Sequence, residues 1–302
     1  MRVLVLGGTG SIGRGVIAAL LRRGHDPIAL ARSRESANRL AGAGAKPLFG
    51  DLRDIESWIA AVRDVDGIVH AAATWDEDMQ STDRQVVEAI LSTPASCESR
   101  KAFVYTGGTW KYGQTGDAVA TEESPTFDIE YFADSVKLEK MVLLAPQVRG
   151  MVIHPAMVYE NHGGVFEQMY DDAVKLGYVR VIGGEHVRWP LVHHDDLGDL
   201  YVLMLERGEP GDVYNGAAIE GYPIGRIARA IAKRLNVPTD PIVIPTSEAV
   251  RMYGPWAEGY AIDQQVSGRR AMEKLGWQPT HCDVIADISS LPNTASGPSL
   301  QA

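Results

Sequence analysis

The segment Gly7-Gly8-Thr9-Gly10-Ser11-Ile12-Gly13 sets glycines at every third position, directly after the apolar run Val3 to Leu6 and directly before a stretch with helical spacing. Glycine at such sites permits a positive φ in a tight turn, lets the backbone approach a pyrophosphate with no Cβ in the way, and allows the helix to pack closely on its strand. The helix N-terminus then turns its unpaired N–H groups toward phosphate. The spacing predicts a dinucleotide-binding turn made of Gly7, Thr9, Gly10, Ser11, Ile12 and Gly13; the plainer alternative is a glycine turn with a structural role only.

Which dinucleotide is held depends on the end of the second strand, where an NAD-selecting chain usually carries an acid about 20 residues on to bind the ribose 2′-hydroxyl. Here the chain reads Ala29-Leu30-Ala31-Arg32-Ser33-Arg34, with no acid and two guanidinium groups. Arg32, with Ser33 and Arg34, would hold a 2′-phosphate through charge-assisted hydrogen bonds, so NADP(H) is expected over NAD(H). Two solvated arginines at a helix start are the alternative. The run His193-His194-Asp195-Asp196 invites a metal reading, but adjacent histidines point in different directions, and an aspartate there serves as a helix cap. No metal is expected.

These residues need a scaffold that brings them to one edge. Short apolar runs recur at Val3 to Leu6, Pro27 to Ala31, Lys46 to Phe49, Gly67 to His70, Ala102 to Thr106 and Met151 to His154, and read as strands buried on both faces. Helical spacing lies between them at Ile12 to Arg23, Ser36 to Ala41, Ile55 to Val62, Gln85 to Leu91 and Ser135 to Leu144. The alternation predicts an α/β fold, a doubly wound parallel sheet of Rossmann type, with chemistry at the carboxyl ends of the strands. Beyond about residue 160 the pattern loosens. Helices are expected at Val165 to Leu176, Asp195 to Leu205 (capped by His194 or Asp195), Ile224 to Leu235, Gly268 to Leu275 and Cys282 to Ile288, with short strands at Val179 to Ile182, Val213 to Asn215 and Ile242 to Ile244. The expected organisation is a dinucleotide-binding domain over 1–160, a smaller C-terminal substrate lobe over 161–290 that partly returns to the sheet, and a loose tail over 291–302.

A chain of 302 residues with 45% hydrophobic and 23% charged residues is ordinary for one large globular domain with an added lobe. Its net charge of -10 opposes phosphate backbones and anionic lipid, so neither nucleic acid nor a membrane surface is an expected partner. Cys97 and Cys282 have no C-x-x-C or histidine company and read as ordinary thiols. With no leader-like start and no long apolar run, a cytoplasmic protein acting on a small molecule, as a monomer or homodimer, is expected.

Several motifs together resemble the extended short-chain dehydrogenase/reductases, the NAD-dependent epimerase/dehydratase family. Besides the glycine turn these are Gly50-Asp51-Leu52, Val69-His70-Ala71-Ala72-Ala73, Val104-Tyr105-Thr106 followed by Tyr112-Gly113, Tyr131 ahead of Glu139-Lys140-Met141-Val142, Pro155-x-x-Val158-Tyr159 and Val192 to Leu197. The resemblance implies that Asp51 accepts from the adenine amino group with Leu52 against the ring, and that Ala71, Ala72 and Ala73 line the cofactor, with Thr106, Tyr131, Pro155 and Val158 along its nicotinamide end. Asp51 would equally suit a helix N-cap.

The family's active site is a Ser or Thr, a Tyr, and a Lys four residues later whose ammonium lowers the tyrosine's pKa. Tyr131 matches by its spacing to Glu139, but the lysine position holds Ser135, and none of the 11 tyrosines is followed by a lysine at that spacing. Gly107-Gly108 stand where a Ser is common, leaving Thr106 and Thr109 as the nearest hydroxyls. The catalytic candidates are therefore Tyr131, Thr109 and Ser135. Three readings stay open: reduction of a carbonyl or imine, a redox-neutral isomerisation or elimination, or binding of NADP(H) without turnover.

The substrate side is expected to be lined by Thr74, Trp75, Trp110, His154 and Tyr159 after the strands, and by His186 and Trp189 from a segment, 183–190, that would close the pocket. Three tryptophans and one cation, Arg188, favour an apolar or aromatic substrate over a nucleotide sugar, although each tryptophan singly would also suit the core of the lobe.

Overall fold

The computed structural model describes residues 1–93, 100–127, 133–160 and 163–290. Tyr131, Cys97 and the tail 291–302 lie outside the described residues. Strands and helices alternate as β1 (Arg2–Leu6), α1 (Ser11–Arg22), β2 (Asp26–Ala31), α2 (Arg34–Gly42), β3 (Lys46–Phe49), β4 (Gly67–His70), α3 (Met79–Ser92), β5 (Lys101–Thr106), α4 (Ala133–Leu144) and β6 (Val148–Pro155). The chain continues through β7 (Met157–Glu160), β8 (Gly163–Gly164), α5 (Glu167–Lys175), β9 (Arg180–Ile182), β10 (Arg188–His193), α6 (His194–Arg207), β11 (Val213–Gly216), β12 (Ile219–Pro223), α7 (Ile224–Leu235), β13 (Ile242–Ile244), α8 (Thr246–Tyr253), α9 (Arg269–Leu275) and α10 (Val284–Ser290).

Seven parallel strands form the main sheet in the order β11-β6-β5-β4-β1-β2-β3. The continuous apolar run of β1 follows from burial on both faces. Val3 and Val5 pack with Val16, Ile17 and Leu20 of α1 and Leu200 of α6, whereas Leu4 and Leu6 pack with Val86 and Ile90 of α3 and Leu138 of α4. The order reverses between β1 and β4, which opens the crevice where such sheets take their ligands.

Helices α1 and α6 touch through their backbones. A Cβ at Gly15 would stand 2.0 Å from His194 O, and one at Gly198 would stand 2.2 Å from Gly15 O. Both α6 and β11 lie beyond residue 160 yet complete the first layer. The chain leaves the main sheet at Pro155, enters β7, and builds a second sheet in the order β12-β10-β7-β8. Over it lies a separate core of Tyr159, Phe166, Trp189, Ile224, Ile227, Ile231 and Val284.

Four element expectations need correction. The helix expected over Gln85 to Leu91 runs instead as α3 from Met79 to Ser92. The helix expected over Ile55 to Val62 is instead two 3-10 segments, Ile55–Ser57 and Ile59–Asp64. Ser57 Oγ donates to Asp54 O and accepts from Asp51 N, and these local side-chain bonds compete with an α-helical ladder. The cap of α6 is neither His194 nor Asp195 but His193, whose Nδ1 accepts from Asp195 N at 3.3 Å. The last helix starts at Val284 because the Asp283 carboxylate accepts from the N–H groups of Ile285 and Ala286. Among the described residues no helix is long and apolar enough to cross a membrane.

Candidate active site

The turn after β1 divides the work among its glycines. Gly7 has φ +89° and its Cβ would stand 2.5 Å from Ala71 O, while a Cβ at Gly13 would stand 2.1 Å from Gly7 O. Both are demanded by the protein itself. Gly10, at φ -78° the N-cap of α1, carries no side-chain cap bond, and its Cβ would meet only Gly7 O at 3.5 Å. The space above Gly10 and the uncapped helix end form a cradle that fits a pyrophosphate. Thr9 sits in this turn, and Ile12 packs on the core. Ser11 Oγ donates to Glu160 Oε1 at 2.7 Å, and Arg14 pairs with the same oxygen. This clasp from β7 was not legible in the sequence.

At the end of β2, Arg32 and Arg34 are exposed, and no hydrogen bond or ion pair engages either among the described residues. Ser33 N-caps α2, its Oγ accepting from Ser36 N at 3.1 Å. Asp51 and Leu52 follow β3 half-buried, and Asp51 Oδ1 accepts from Arg53 N. Gly7 and Ala71 lie back to back, so the ends of β1 and β4 meet with Ala71 and Ala72 half-buried and Ala73 exposed. Pro155 is buried and Val158 is packed against the main core.

Behind the end of β5 lies a buried polar cluster. The Lys111 ammonium donates to Glu139 Oε2 and lies 3.1 Å from His154 Nε2, which is 3.2 Å from Glu139 Oε1. On the other edge of the ring, His154 Nδ1 lies 3.3 Å from both Tyr112 Oη and Asn215 Oδ1, and Tyr112 donates to Asn215 at 2.8 Å. Burial pushes the Glu139 carboxyl up, but the hydrogen bond and charge of His154 and the Lys111 ammonium outweigh it and hold the group below its ordinary value. Burial, followed by the Glu122 carboxylate, raises the Tyr112 phenol. Ser135 lies one turn before Glu139 on α4. Thr106 Oγ1 shares a 2.6 Å hydrogen bond with Tyr201 Oη, and Thr109 is buried.

Beyond Thr109 begins a line of aromatic rings. Trp110 meets Tyr260 with ring centroids 5.8 Å apart, Tyr260 meets Trp256 at 5.5 Å, and Trp256 meets Trp75 at 5.6 Å. Trp189 meets Tyr260 from within, at 5.5 Å, and its Nε1 donates to Tyr260 O. Burial pushes the Tyr260 phenol up to about 12. Trp110 lies flat against Gly259, where a Cβ would stand 2.5 Å from the indole. Trp75, by contrast, is 56% exposed, with φ +55°.

The fold thus joins Trp75, Trp110 and Trp189, adds Trp256 and Tyr260, and leaves other expected residues elsewhere. Thr74 Oγ1 donates to Asp76 at 2.9 Å. His154 belongs to the buried cluster. Tyr159 is in the core of the second lobe, stacked on Phe166 and donating to Asp287 Oδ2 at 2.6 Å. His186 is exposed beside an open cleft that it shares with Gln114, Thr246 and Asp263. Arg188 is committed to Asp263 and Asp117.

His193, Asp195 and His281 bring ligand-type atoms within 4.8 Å of one another. The two imidazoles stack at 3.7 Å and 22°, which aims their in-plane lone pairs alongside each other rather than at one point. Asp196 accepts from Thr280 N, Thr280 Oγ1 and His281 N, tying the 280–281 turn to α6. Burial, then the charges of His281 and His194, push the His193 imidazole down to about 4. The arrangement is a cap and a clamp.

A parallel sheet whose order reverses beside a glycine turn defines a dinucleotide-binding α/β protein. The model of the NAD dependent epimerase/dehydratase family matches residues 3–217, and the chain belongs to that family. A protein of Schizosaccharomyces pombe without an assigned activity is 30% identical over 296 residues, covering 96% of this chain and 99% of the relative. A ketoreductase of Stigmatella aurantiaca acting on a farnesylated dihydroquinoline oxide is 26% identical over 243 residues, 73% of this chain and 70% of the relative. The crystal structure of the human epimerase family protein SDR39U1 with NADPH superimposes with a TM-score of 0.78 at 22% identity, covering 96% of this chain and 99% of the other. Other structures of the same fold carry NAD. The chain has the scaffold of an enzyme family that binds NAD or NADP.

Proposed function

We propose that this chain is an NADP(H)-dependent reductase acting on the carbonyl or imine carbon of a small apolar or aromatic molecule. The observation that carries the reading is the line of aromatic rings running from exposed Trp75 to Trp110, which abuts Thr109 beyond the end of β5. That wall suits a flat apolar molecule better than a sugar diphosphate, for which the nearby cation Arg188 is already spent on Asp263. In this reading Gly10 and the start of α1 take the pyrophosphate, Asp51 and Leu52 the adenine, and Ala71 to Ala73 with Pro155 and Val158 the rest of the cofactor. Arg32 and Arg34, exposed and without partners among the described residues, take the 2′-phosphate.

When bound, NADP(H) supplies the hydride. Tyr131, by its sequence position ahead of α4, gives the proton to the reduced oxygen or nitrogen, and Thr109 and Ser135 hold the acceptor atom. Without a lysine at 135 the tyrosine lacks the ammonium that would activate it as a base and keeps its O–H as an acid, so reduction is favoured over alcohol oxidation near neutral pH. The uncharged Ser135 also supports a second reading, in which NADP(H) is bound without turnover.

Calorimetry with NADPH and NADH, followed by a screen of aromatic aldehydes, ketones and imines for NADPH oxidation, tests both. Tighter NADPH binding with turnover is the expected result. Equal affinity for the two cofactors refutes the role of Arg32, and tight binding with no turnover across the screen moves the conclusion to the second reading.

A further inference from the structure

We propose that Trp75 and Trp256 are the specificity-determining pair of the substrate site and bind a flat, uncharged aromatic ring at its mouth. Trp75 lies just beyond β4, at the carboxyl edge of the sheet, and its backbone is left-handed at φ +55°, an uncommon conformation for a bulky residue. Such outliers persist where the surroundings or the function demand them. Yet the indole is not tucked away: it is 56% exposed, and among the described residues no hydrogen bond holds it. Its ring contact is Trp256 of the second lobe, tilted by 56° at 5.6 Å. An exposed tryptophan, turned outward by its backbone and touching one further ring among the described residues, leaves indole face to be covered by a ligand.

The rings behind it give direction. From Trp75 and half-buried Trp256 the line passes to Tyr260 and Trp110, and so to Thr109. A ring lying on Trp75 and Trp256 would therefore aim a substituent inward, along the aromatic wall, toward the end of β5. Charge sets the rest of the ligand's chemistry. The residues following Trp75 are Asp76, Glu77 and Asp78, all exposed, and Glu258 is exposed on the turn that carries Trp256 and Tyr260. Arg53 is paired with Asp76 and Arg188 with Asp263. Anionic ligands meet a rim of like charge, whereas an uncharged ring meets polarisable faces.

The inference deepens the reductase reading and rests on it for the orientation of the ligand, so its test includes a binding measurement that needs no turnover. The probes are 2-naphthalenemethanol and its saturated counterpart decahydro-2-naphthalenemethanol, titrated by calorimetry into the NADPH-loaded protein; the corresponding aldehydes are assayed for NADPH oxidation. Stacking on two indoles should make the naphthalene alcohol bind at least about 5-fold tighter than the saturated one. Trp75→Leu and Trp256→Leu, which keep apolar bulk and remove the ring, should each erase most of that preference by weakening only the naphthalene compound. Trp75→Phe should retain it. No preference in the unmodified protein, or a preference that survives both leucine variants, overturns the proposal, as does an equal loss for both alcohols, which would mark Trp75 as mere packing. Intact preference without aldehyde reduction supports the ring site and refutes the reductase reading alone.

Discussion

Replacing Gly10 separates the glycines that build the fold from the one proposed to face the pyrophosphate. At φ -78° and ψ 171°, Gly10 has a backbone any residue can adopt, and a Cβ there would meet Gly7 O at an ordinary 3.5 Å. As an N-cap, a residue without a capping side chain costs only about 1 kcal/mol or less. Gly13 is the control, since its Cβ would be driven to 2.1 Å from Gly7 O and 2.6 Å from Gly8 Cα. Backbone must shift there, at a cost of about 1 to 3 kcal/mol or more. Urea unfolding without cofactor should therefore show Gly10→Val nearly as stable as the unmodified chain and Gly13→Ala clearly weaker. With NADPH at 100 times its Kd, the unmodified chain should gain about 2.7 kcal/mol by mass action. Gly10→Val should lose that gain altogether, because its side chain fills the space over the start of α1. A Gly10→Val protein that is still stabilised by NADPH to the same extent refutes the placement of the pyrophosphate.

Arg32→Ala should weaken NADPH by about 1 to 3 kcal/mol and leave NADH unchanged in calorimetry, the mark of a charge-assisted bond to the 2′-phosphate. Lys111→Met removes a cation from buried Glu139 and should destabilise the chain by about 3 kcal/mol at pH 7. Because the folded carboxyl is held below its ordinary value, its stabilising contribution is full above the unfolded pKa and lost as pH falls through the folded one; the penalty in Lys111→Met should shrink over that acid range in urea unfolding. His193, pushed down to about 4, must gain a proton on unfolding, so stability should fall as pH drops from about 6.5 toward 4. His193→Asn, which keeps a capping side chain on α6, should flatten that slope; an unchanged slope assigns it to other groups.

The main sheet was legible because most of its strands are continuous apolar runs: β3 and β4 begin and end where the residues predict, as do β13 and α7 outside it. The second sheet was not. Strand β10 contains Pro190 between Trp189 and Leu191, β7 has four residues, and β8 is two glycines, so none offers enough alternation to read. The glycine turn and the exposed arginines stood out because their chemistry is local. Trp256 is distant in sequence from Trp75, Tyr260 from Trp110, Glu160 from Ser11 and His281 from His193, and only folding brings them together. Gly259 leaves the room that the Trp110 indole takes, a role that shows only in the folded chain.

The end of β5 and α4 meet at Gly107 and Glu139. Gly107 stands where a serine is common, and a Cβ on it would lie 2.4 Å from Glu139 Oε1 and 2.8 Å from the His154 ring. The carboxylate and imidazole occupy the room that a side chain at 107 would need. Gly108 meets nothing within 4 Å, so the exclusion applies to one position and not to the loop as a whole. Glu139 in turn lies one turn beyond Ser135 on α4, and its charge is answered by Lys111, which follows Trp110 in the chain. A cation is thus supplied from the loop after β5 to the helix that carries Ser135, and it is bound there to Glu139 and His154 rather than free to lower a phenol's pKa. The same Lys111–Glu139 pair ties the loop that carries Trp110 to α4 beside the end of β5, so in the proposed reductase reading ring placement, more than an activated base, is what this site offers for chemistry.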